Sequence, residues 1–175
     1  MDDIARLIKA ADFAAFKHRG QRRKDAEASP YINHPLALAR VLKLEAGVDD
    51  VDVLVAAILH DTVEDTETTV EELARVFGPA VAGIVAEVTD DKSLPKPERK
   101  RLQVERAPGS SRPAKLVKLA DKICNLRDVT DAPPAHWPLE RRQAYFEWAQ
   151  AVIDGVRGTH ATLERLFDAA YLGKP

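Results

Sequence analysis

Apolar residues along most of this 175-residue chain recur at intervals of three and four, which is the spacing of one face of a helix. Runs in which apolar and polar residues alternate over the length of a strand are rare, and there are only 8 glycines. The pattern therefore predicts an all-α fold. The predicted helices cover approximately residues 2–17, 35–46, 51–61, 69–77, 80–88, 98–106, 113–129, 139–156 and 159–171.

Short-range signals support several of these boundaries. Asp50 precedes the third helix as a candidate N-cap, and Thr69 with Glu72 has the spacing of a capping box. Pro35 is suited to the first turn of the second helix, because the backbone N–H groups of that turn have no intrahelical acceptor and proline lacks an N–H. The segment 18–33 contains Gly20 and several basic residues, so we predict a surface connection there.

Composition narrows the class of protein. Hydrophobic residues make up 45% and charged residues 31% of the chain, which is typical of a globular protein, and the length favours one domain over residues 1–175. The net charge of −2 argues against a general nucleic-acid binder. No apolar run approaches the ~20 residues of a spanning helix, and no secretory signal is evident, so we expect no membrane partner and a cytoplasmic location.

Polar residues interrupt three apolar helices in a way that suggests a metal site. His60 and Asp61 end the most apolar helix, His34 begins another, and Asp121 lies within a third. Buried charges of this kind are costly unless they are paired or bind a metal. Two imidazoles and two carboxylates suit Mn²⁺, Fe²⁺ or Zn²⁺ with positions left open for water and substrate. A His-Asp pair at the end of a helix also occurs by chance, with the acid exposed to solvent.

Two further acids follow the His-Asp pair. If the helical turn continues, Glu64 shares a face with His60, and Asp65 comes next. One of them is then placed to act as a general base and the other as its partner. The alternative is an acidic, solvated helix end.

Five longer segments resemble one family closely. They are HRGQRRKDAEASPYINHP, AAILHDTVEDT, VTDDKSLPKPERKR, AKLVKLADKICNLRDV and RRQAYFEWAQAVIDGVRGT. Together with the pattern of the four candidate ligands, they resemble the (p)ppGpp hydrolase branch of the RelA/SpoT family of HD-domain phosphohydrolases, above all its stand-alone small alarmone hydrolases of the metazoan SpoT homologue type. The likeness extends from about residue 4 to about residue 167.

The resemblance implies a helical HD-domain fold that hydrolyses the 3′-pyrophosphate of ppGpp or pppGpp to GDP or GTP plus pyrophosphate, usually with Mn²⁺. It implies the metal ligands His34, His60, Asp61 and Asp121. It implies that attack by a water molecule at the metal is promoted by Glu64 and Asp65. The implied substrate-binding residues are Arg23, Lys24, Tyr31, Asn125 and Tyr145.

Two other functions remain open at this stage. Removal of the 2′-phosphate of NADPH would use the same metal site on another phosphate. A non-catalytic alarmone-binding module would predict loss of Glu64, Asp65 or a ligand, and all six residues are present. The sequence leaves the native metal, the preferred nucleotide and the oligomeric state undetermined.

The remaining conspicuous residues favour structural roles. We predict that the basic run 99–101 is a charged helix face paired with Glu98 and Glu105. We expect Trp137 and Trp148 to pack in the core, and the single cysteine, Cys124, to be a small core residue. Three lysines at helical spacing form a possible second cationic side of the substrate site: Lys115, Lys118 and Lys122.

Overall fold

The computed structural model describes residues 2–175 and confirms the all-α prediction. Within that range the only strand-like pairing is an isolated bridge between Arg22 and Pro30. The helices are α1 (Asp3–Lys17), α2 (Asn33–Arg40), α3 (Val51–Leu59), α4 (Thr62–Asp65), α5 (Val70–Phe77), α6 (Pro79–Val88), α7 (Lys96–Arg106), α8 (Arg112–Asp131), α9 (Leu139–Asp154) and α10 (Ala161–Tyr171).

The predicted helix caps form. The Asp50 carboxylate accepts hydrogen bonds from the backbone N–H groups of Asp52 and Val53, and the Thr69 hydroxyl accepts one from Glu72. The helix predicted over 35–46 begins slightly earlier, as α2, and continues as a π-helical turn, Val41–Glu45.

The helix predicted over 51–61 ends earlier than expected. α3 stops at Leu59, and the short helix α4, which the hydrophobic pattern did not predict, follows two residues later. The Thr62 hydroxyl donates to the Leu59 carbonyl oxygen at 2.7 Å, a side-chain bond that competes with continuation of the backbone ladder. The break leaves His60 and Asp61 at a junction, where both side chains turn toward the same space.

The core is built around α3 and α8. Seven of the nine residues of α3 are buried, and the helix packs against α1, α2, α6 and α8. α8 in turn packs against α2, α3, α6, α9 and α10. The N-terminal turn of α2, the C-terminal end of α3 and the middle of α8 therefore meet inside the protein.

The sequence predicts a core position for Cys124 and no membrane-spanning helix. Cys124 is 3% exposed, and burial raises the pKa of its thiol to about 12, so the predicted core role is confirmed. Within residues 2–175, each helix is too short or too polar to cross a bilayer.

We expect Leu59→Ala to lower the free energy of unfolding by about 2–5 kcal/mol, because Leu59 is fully buried in α3 and its truncation leaves a cavity. Leu44→Ala is the matched control, since Leu44 is 76% exposed and its replacement should change stability by less than about 0.5 kcal/mol. Urea unfolding of both variants measures the difference. Equal effects would contradict the central position of α3.

Candidate metal and nucleotide site

The four predicted ligands lie together where α2, α3 and α8 meet. His34 Nε2 lies 3.3 Å from Asp121 Oδ1, and His60 Nε2 lies 3.0 Å from Asp61 Oδ2. The two remaining His–Asp distances, His34 to Asp61 and His60 to Asp121, are both 4.0 Å. Donor atoms of His34, His60 and Asp121 all lie within 4.8 Å of one another. These side chains can therefore converge on one ion.

The orientation of His60 is set by the backbone. Its Nδ1 lies 2.8 Å from the Ala57 carbonyl oxygen, which can only accept, so Nδ1 carries the proton. Nε2 then faces the carboxylates, where it is buried without a hydrogen-bond partner in the described chain. A metal-ligating imidazole is commonly held in this way by a carbonyl on its far nitrogen. The set of two nitrogens and two oxygens fits a divalent cation.

Asp121 is held through both of its oxygens. Oδ1 accepts a hydrogen bond from Asn125 Nδ2 at 2.6 Å, and Oδ2 accepts one from Lys122 Nζ at 2.8 Å. Burial disfavours the Asp121 charge, but Lys122 and His34 hold the pKa of this carboxyl well below its usual range. Lys122 is only 5% exposed, and the same ion pair raises its pKa. Asp121 is therefore a carboxylate with Oδ1 directed at His34.

The second acid of the cluster is also charged. Burial opposes ionisation of Asp61, but the neighbouring His60 and His34 lower its pKa. The Tyr31 hydroxyl donates to Asp61 Oδ2 at 2.6 Å. Burial likewise opposes protonation of His60, yet Asp61 and Asp121 raise its pKa to about 9. The two carboxylates thus stabilise positive charge at this position, which also favours a bound cation.

Glu64 and Asp65 project from α4 beside the cluster. Glu64 Oε2 accepts a hydrogen bond from the Asp90 backbone N–H at 3.0 Å, while Arg99 Nη1 lies 3.6 Å from Oε1. Burial raises the pKa of Glu64 to about 7. Asp65 forms an ion pair with Lys92 and lies 3.2 Å from the Tyr31 hydroxyl.

A cavity of about 890 Å³ opens next to the cluster. We call it the nucleotide cavity; its lining includes Arg23, Lys24, Tyr31, Asn125 and Tyr145. A smaller cavity of about 200 Å³, the metal cavity, contains the four predicted ligands with Glu64 and Asp65. Both cavities share Arg23, Tyr31, His34, Asp65 and Asn125. The fold thus brings all eleven sequence-predicted site residues to one continuous concave surface.

Arg23 is held by three side chains. Its Nη2 lies 2.5 Å from Asp128 Oδ2 and 3.5 Å from Asn125 Oδ1, and its guanidinium lies 5.7 Å from the centre of the Tyr31 ring. These contacts hold the cation in the wall of the nucleotide cavity.

The prediction for the basic run 99–101 is wrong for two of its three residues. Arg101 pairs with Glu98 and Glu105 as predicted. Arg99 instead approaches Glu64, and Lys100 lies over the ring of Trp148. Successive residues point about 100° apart around a helix, so one role could not hold for three neighbours.

Other residues also reach the site without having been predicted there. Trp137 and Trp148 pack against the edge of the core, as expected, but both also line cavities. Lys118 and Lys122 line the metal cavity, as the predicted second cationic side of the site requires, whereas Lys115 is not part of its lining. Lys92 and Lys96 were missed, although both line the nucleotide cavity. Periodicity places a residue such as Lys96 on a helix but carries no signal for the face that meets a distant segment.

Comparison with known proteins gives consistent results. The HD domain family model matches residues 10–148. Human MESH1, named as a guanosine-3′,5′-bis(diphosphate) 3′-pyrophosphohydrolase, is 60% identical over 162 residues, which cover 93% of this chain and 90% of the human protein. The GTP pyrophosphokinase rsh of Brucella melitensis is 37% identical over 131 residues, covering 71% of this chain and 17% of that protein.

A solved structure extends the likeness to three dimensions. It is described as a metazoan orthologue of SpoT that hydrolyses ppGpp and plays a role in starvation responses. It superposes with a TM-score of 0.93 at 52% identity, covering 96% of this chain and 94% of its own.

We expect Glu64→Gln to stabilise the metal-free protein at pH 8 and to have little effect near pH 4. In the folded protein the pKa of Glu64 is about 7, above its ordinary value of 4.5. Between these two pH values the folded state binds more protons than the unfolded state, so the stability of the wild type falls as pH rises. Urea unfolding in EDTA across pH 4–8 measures the effect. Glu140→Gln is the control: Glu140 is an exposed residue of α9, so the free energy of unfolding of this variant should change with pH as that of the wild type does. The same pH dependence in Glu64→Gln and wild type would refute the buried environment of Glu64.

Proposed function

Because this chain belongs to the HD-domain family, and within it to the RelA/SpoT-related small hydrolases of the MESH1 type, we propose that it removes the 3′-pyrophosphate of ppGpp and pppGpp. The products are GDP or GTP and pyrophosphate. One observation carries the proposal: the cluster of the four proposed ligands opens into a basic cavity of nucleotide size, with Asp65 where the two cavities meet and Glu64 beside the ligands.

A divalent metal belongs to this site, and the proposed ligands are His34, His60, Asp61 and Asp121. We propose Mn²⁺ as the ion, because mixed imidazole and carboxylate donors suit it. When bound, the cation polarises a phosphoryl oxygen and lowers the pKa of water. Asn125 and Lys122 keep Asp121 oriented toward the site by their hydrogen bonds to its two oxygens.

Glu64 is the proposed general base. It lines the metal cavity beside the proposed ligands, and in the metal-free protein burial raises its pKa to about 7, so it is more basic than an ordinary carboxylate. In the overall reaction the bond from the ribose 3′ oxygen to phosphorus breaks, water supplies oxygen to the released pyrophosphate, and the 3′ oxygen is protonated. Asp65, which is linked to Lys92 and Tyr31, is the proposed partner that orients the water or carries the proton.

The nucleotide cavity has the size and chemistry for the rest of the substrate. Its volume of about 890 Å³ lies within the range of small-molecule sites, roughly 300–1,000 Å³. Arg23 and Lys24 supply cations for phosphate, Asn125 supplies an amide, and the Tyr31 and Tyr145 rings supply flat apolar surface. These five residues are proposed to bind the nucleotide.

The proposal also covers the domain organisation and the cellular location. We assign residues 1–175 to one phosphohydrolase domain, since the buried apolar side chains form a single cluster. A cytoplasmic location is consistent with Cys124 being a free thiol, because disulfides are rare in that compartment.

Asp121→Asn and His60→Ala should each lose tightly bound Mn²⁺, because one of four donors is neutralised or removed. Metal content after gel filtration, measured by plasma mass spectrometry, tests this. His136→Ala is the control, since His136 is exposed on the connection between α8 and α9. Full Mn²⁺ content in either site variant would remove that residue from the ligand set.

With Mn²⁺, the purified protein should convert ppGpp to GDP and pyrophosphate, and EDTA should abolish the reaction. Glu64→Gln should retain Mn²⁺ but turn over about 10²–10⁴-fold more slowly, because the base is lost while the ligands remain. Chromatography of the products from ppGpp and NADPH, offered in parallel, distinguishes the substrates. Release of orthophosphate from NADPH with little ppGpp turnover would overturn the assignment in favour of a 2′-phosphatase.

A further inference from the structure

A third cavity, of about 150 Å³, adjoins the two already described. We call it the cationic cavity; the basic residues that line it are Lys96, Arg99, Lys100 and Arg141. It shares Lys96, Trp137 and Tyr145 with the nucleotide cavity and Gln103 with the metal cavity. It is therefore continuous with the proposed substrate site, and of the eleven residues assigned to that site only Tyr145 lines it.

The positive charge of this cavity is largely uncompensated. Asp90 is its one acidic lining residue, and that carboxylate already accepts a hydrogen bond from Gln103 at 2.8 Å. None of the ion pairs formed among residues 2–175 includes Lys96, Lys100 or Arg141. What distinguishes these three cations is that they line one concave site, where their positive potential adds up and attracts anions.

Arg99 adds a second, independent observation. Its only ion pair is the 3.6 Å approach to Glu64, and its Nε is buried without a hydrogen-bond partner in the described chain. A buried guanidinium nitrogen is costly to leave without an acceptor. Arg99 also lines the cavity, so its guanidinium adds a fourth, incompletely paired cation to the cavity wall.

Aromatic rings hold the cations in place without neutralising them. Lys100 Nζ lies 4.5 Å from the centre of the Trp148 ring, and the Arg141 guanidinium lies 4.4 Å from that of Trp137. Cation–π contacts of this kind orient a charge and leave its hydrogen-bond donors available. Burial and mutual repulsion lower the pKa values of Lys96 and Lys100, so the cations lie close enough to destabilise one another. An anion between them would relieve that repulsion.

We propose that the cationic cavity binds a diphosphate group, at Lys96, Lys100 and Arg141. The proposal rests on the proposed function, because ppGpp carries two diphosphates and only the 3′ one is at the metal ligands during hydrolysis. The 5′-diphosphate is one source of the group, and free pyrophosphate is the other. The volume of the cationic cavity, about 150 Å³, is suited to a small anion such as a diphosphate group and is much smaller than the 890 Å³ of the nucleotide cavity.

Steady-state kinetics with two substrates test the first source. The substrates are ppGpp and guanosine 3′-diphosphate with a free 5′-hydroxyl. Lys100→Met and Arg141→Met should each raise KM for ppGpp about tenfold with little change in kcat, because a charge-assisted hydrogen bond is lost from binding. KM for the 5′-hydroxyl analogue should stay nearly constant. Arg101→Met is the matched control, since it removes one cation from the opposite, exposed side of α7.

Calorimetric titration of pyrophosphate into EDTA-treated protein tests the second source, since the metal ligands cannot hold an ion under these conditions. Binding to wild type and Arg101→Met, but not to Lys100→Met, with unchanged KM values for ppGpp would assign the cavity to free pyrophosphate. The proposal would be overturned if the variants changed KM equally for both substrates. It would also be overturned if KM stayed unchanged and pyrophosphate bound Lys100→Met as well as it binds wild type. If wild type fails to hydrolyse ppGpp, the proposed function fails, and the titration still tests the cavity.

Discussion

The structure depends on keeping two largely buried carboxylates, Asp61 and Asp121, charged beside an apolar helical core. Isolated charges there would cost several kcal/mol each. Two imidazoles, the Lys122 ammonium and donors from Tyr31 and Asn125 offset that cost. Because His34 lies on α2, His60 and Asp61 follow α3, and Asp121 lies on α8, the charge balance exists only when these three helices are packed together. The folded state and the candidate metal site are therefore the same arrangement.

Lys122 connects this charge balance to the rest of the site. Its ammonium binds Asp121 Oδ2 and also lies 4.4 Å from the centre of the Trp148 ring. Lys100 contacts the same ring. The indole Nε1–H of Trp148 donates to the Lys100 carbonyl oxygen at 3.0 Å and so joins α9 to α7. One tryptophan therefore links the ligand helix α8 to the cationic cavity.

The segment between α6 and α7 supports both proposed catalytic carboxylates. The Asp90 N–H binds Glu64, and Lys92 pairs with Asp65. Asp90 also accepts a hydrogen bond from Gln103, which lines the metal cavity and the cationic cavity. The orientation of α4, a helix of only four residues, thus depends on contacts made by residues that are about 25 positions away in the chain.

The sequence by itself determined the helical class, most helix boundaries and the eleven candidate site residues, because periodicity, caps and family motifs are encoded locally. Tertiary structure decided the break after Leu59, the approach of Arg99 to Glu64 and the pairing of Arg23 with Asp128, 105 positions away. Those features depend on the direction in which a side chain leaves its helix and on which distant segment packs there. Neither quantity is present in a periodic pattern, because such a pattern places a residue on a face but does not identify what the face will meet.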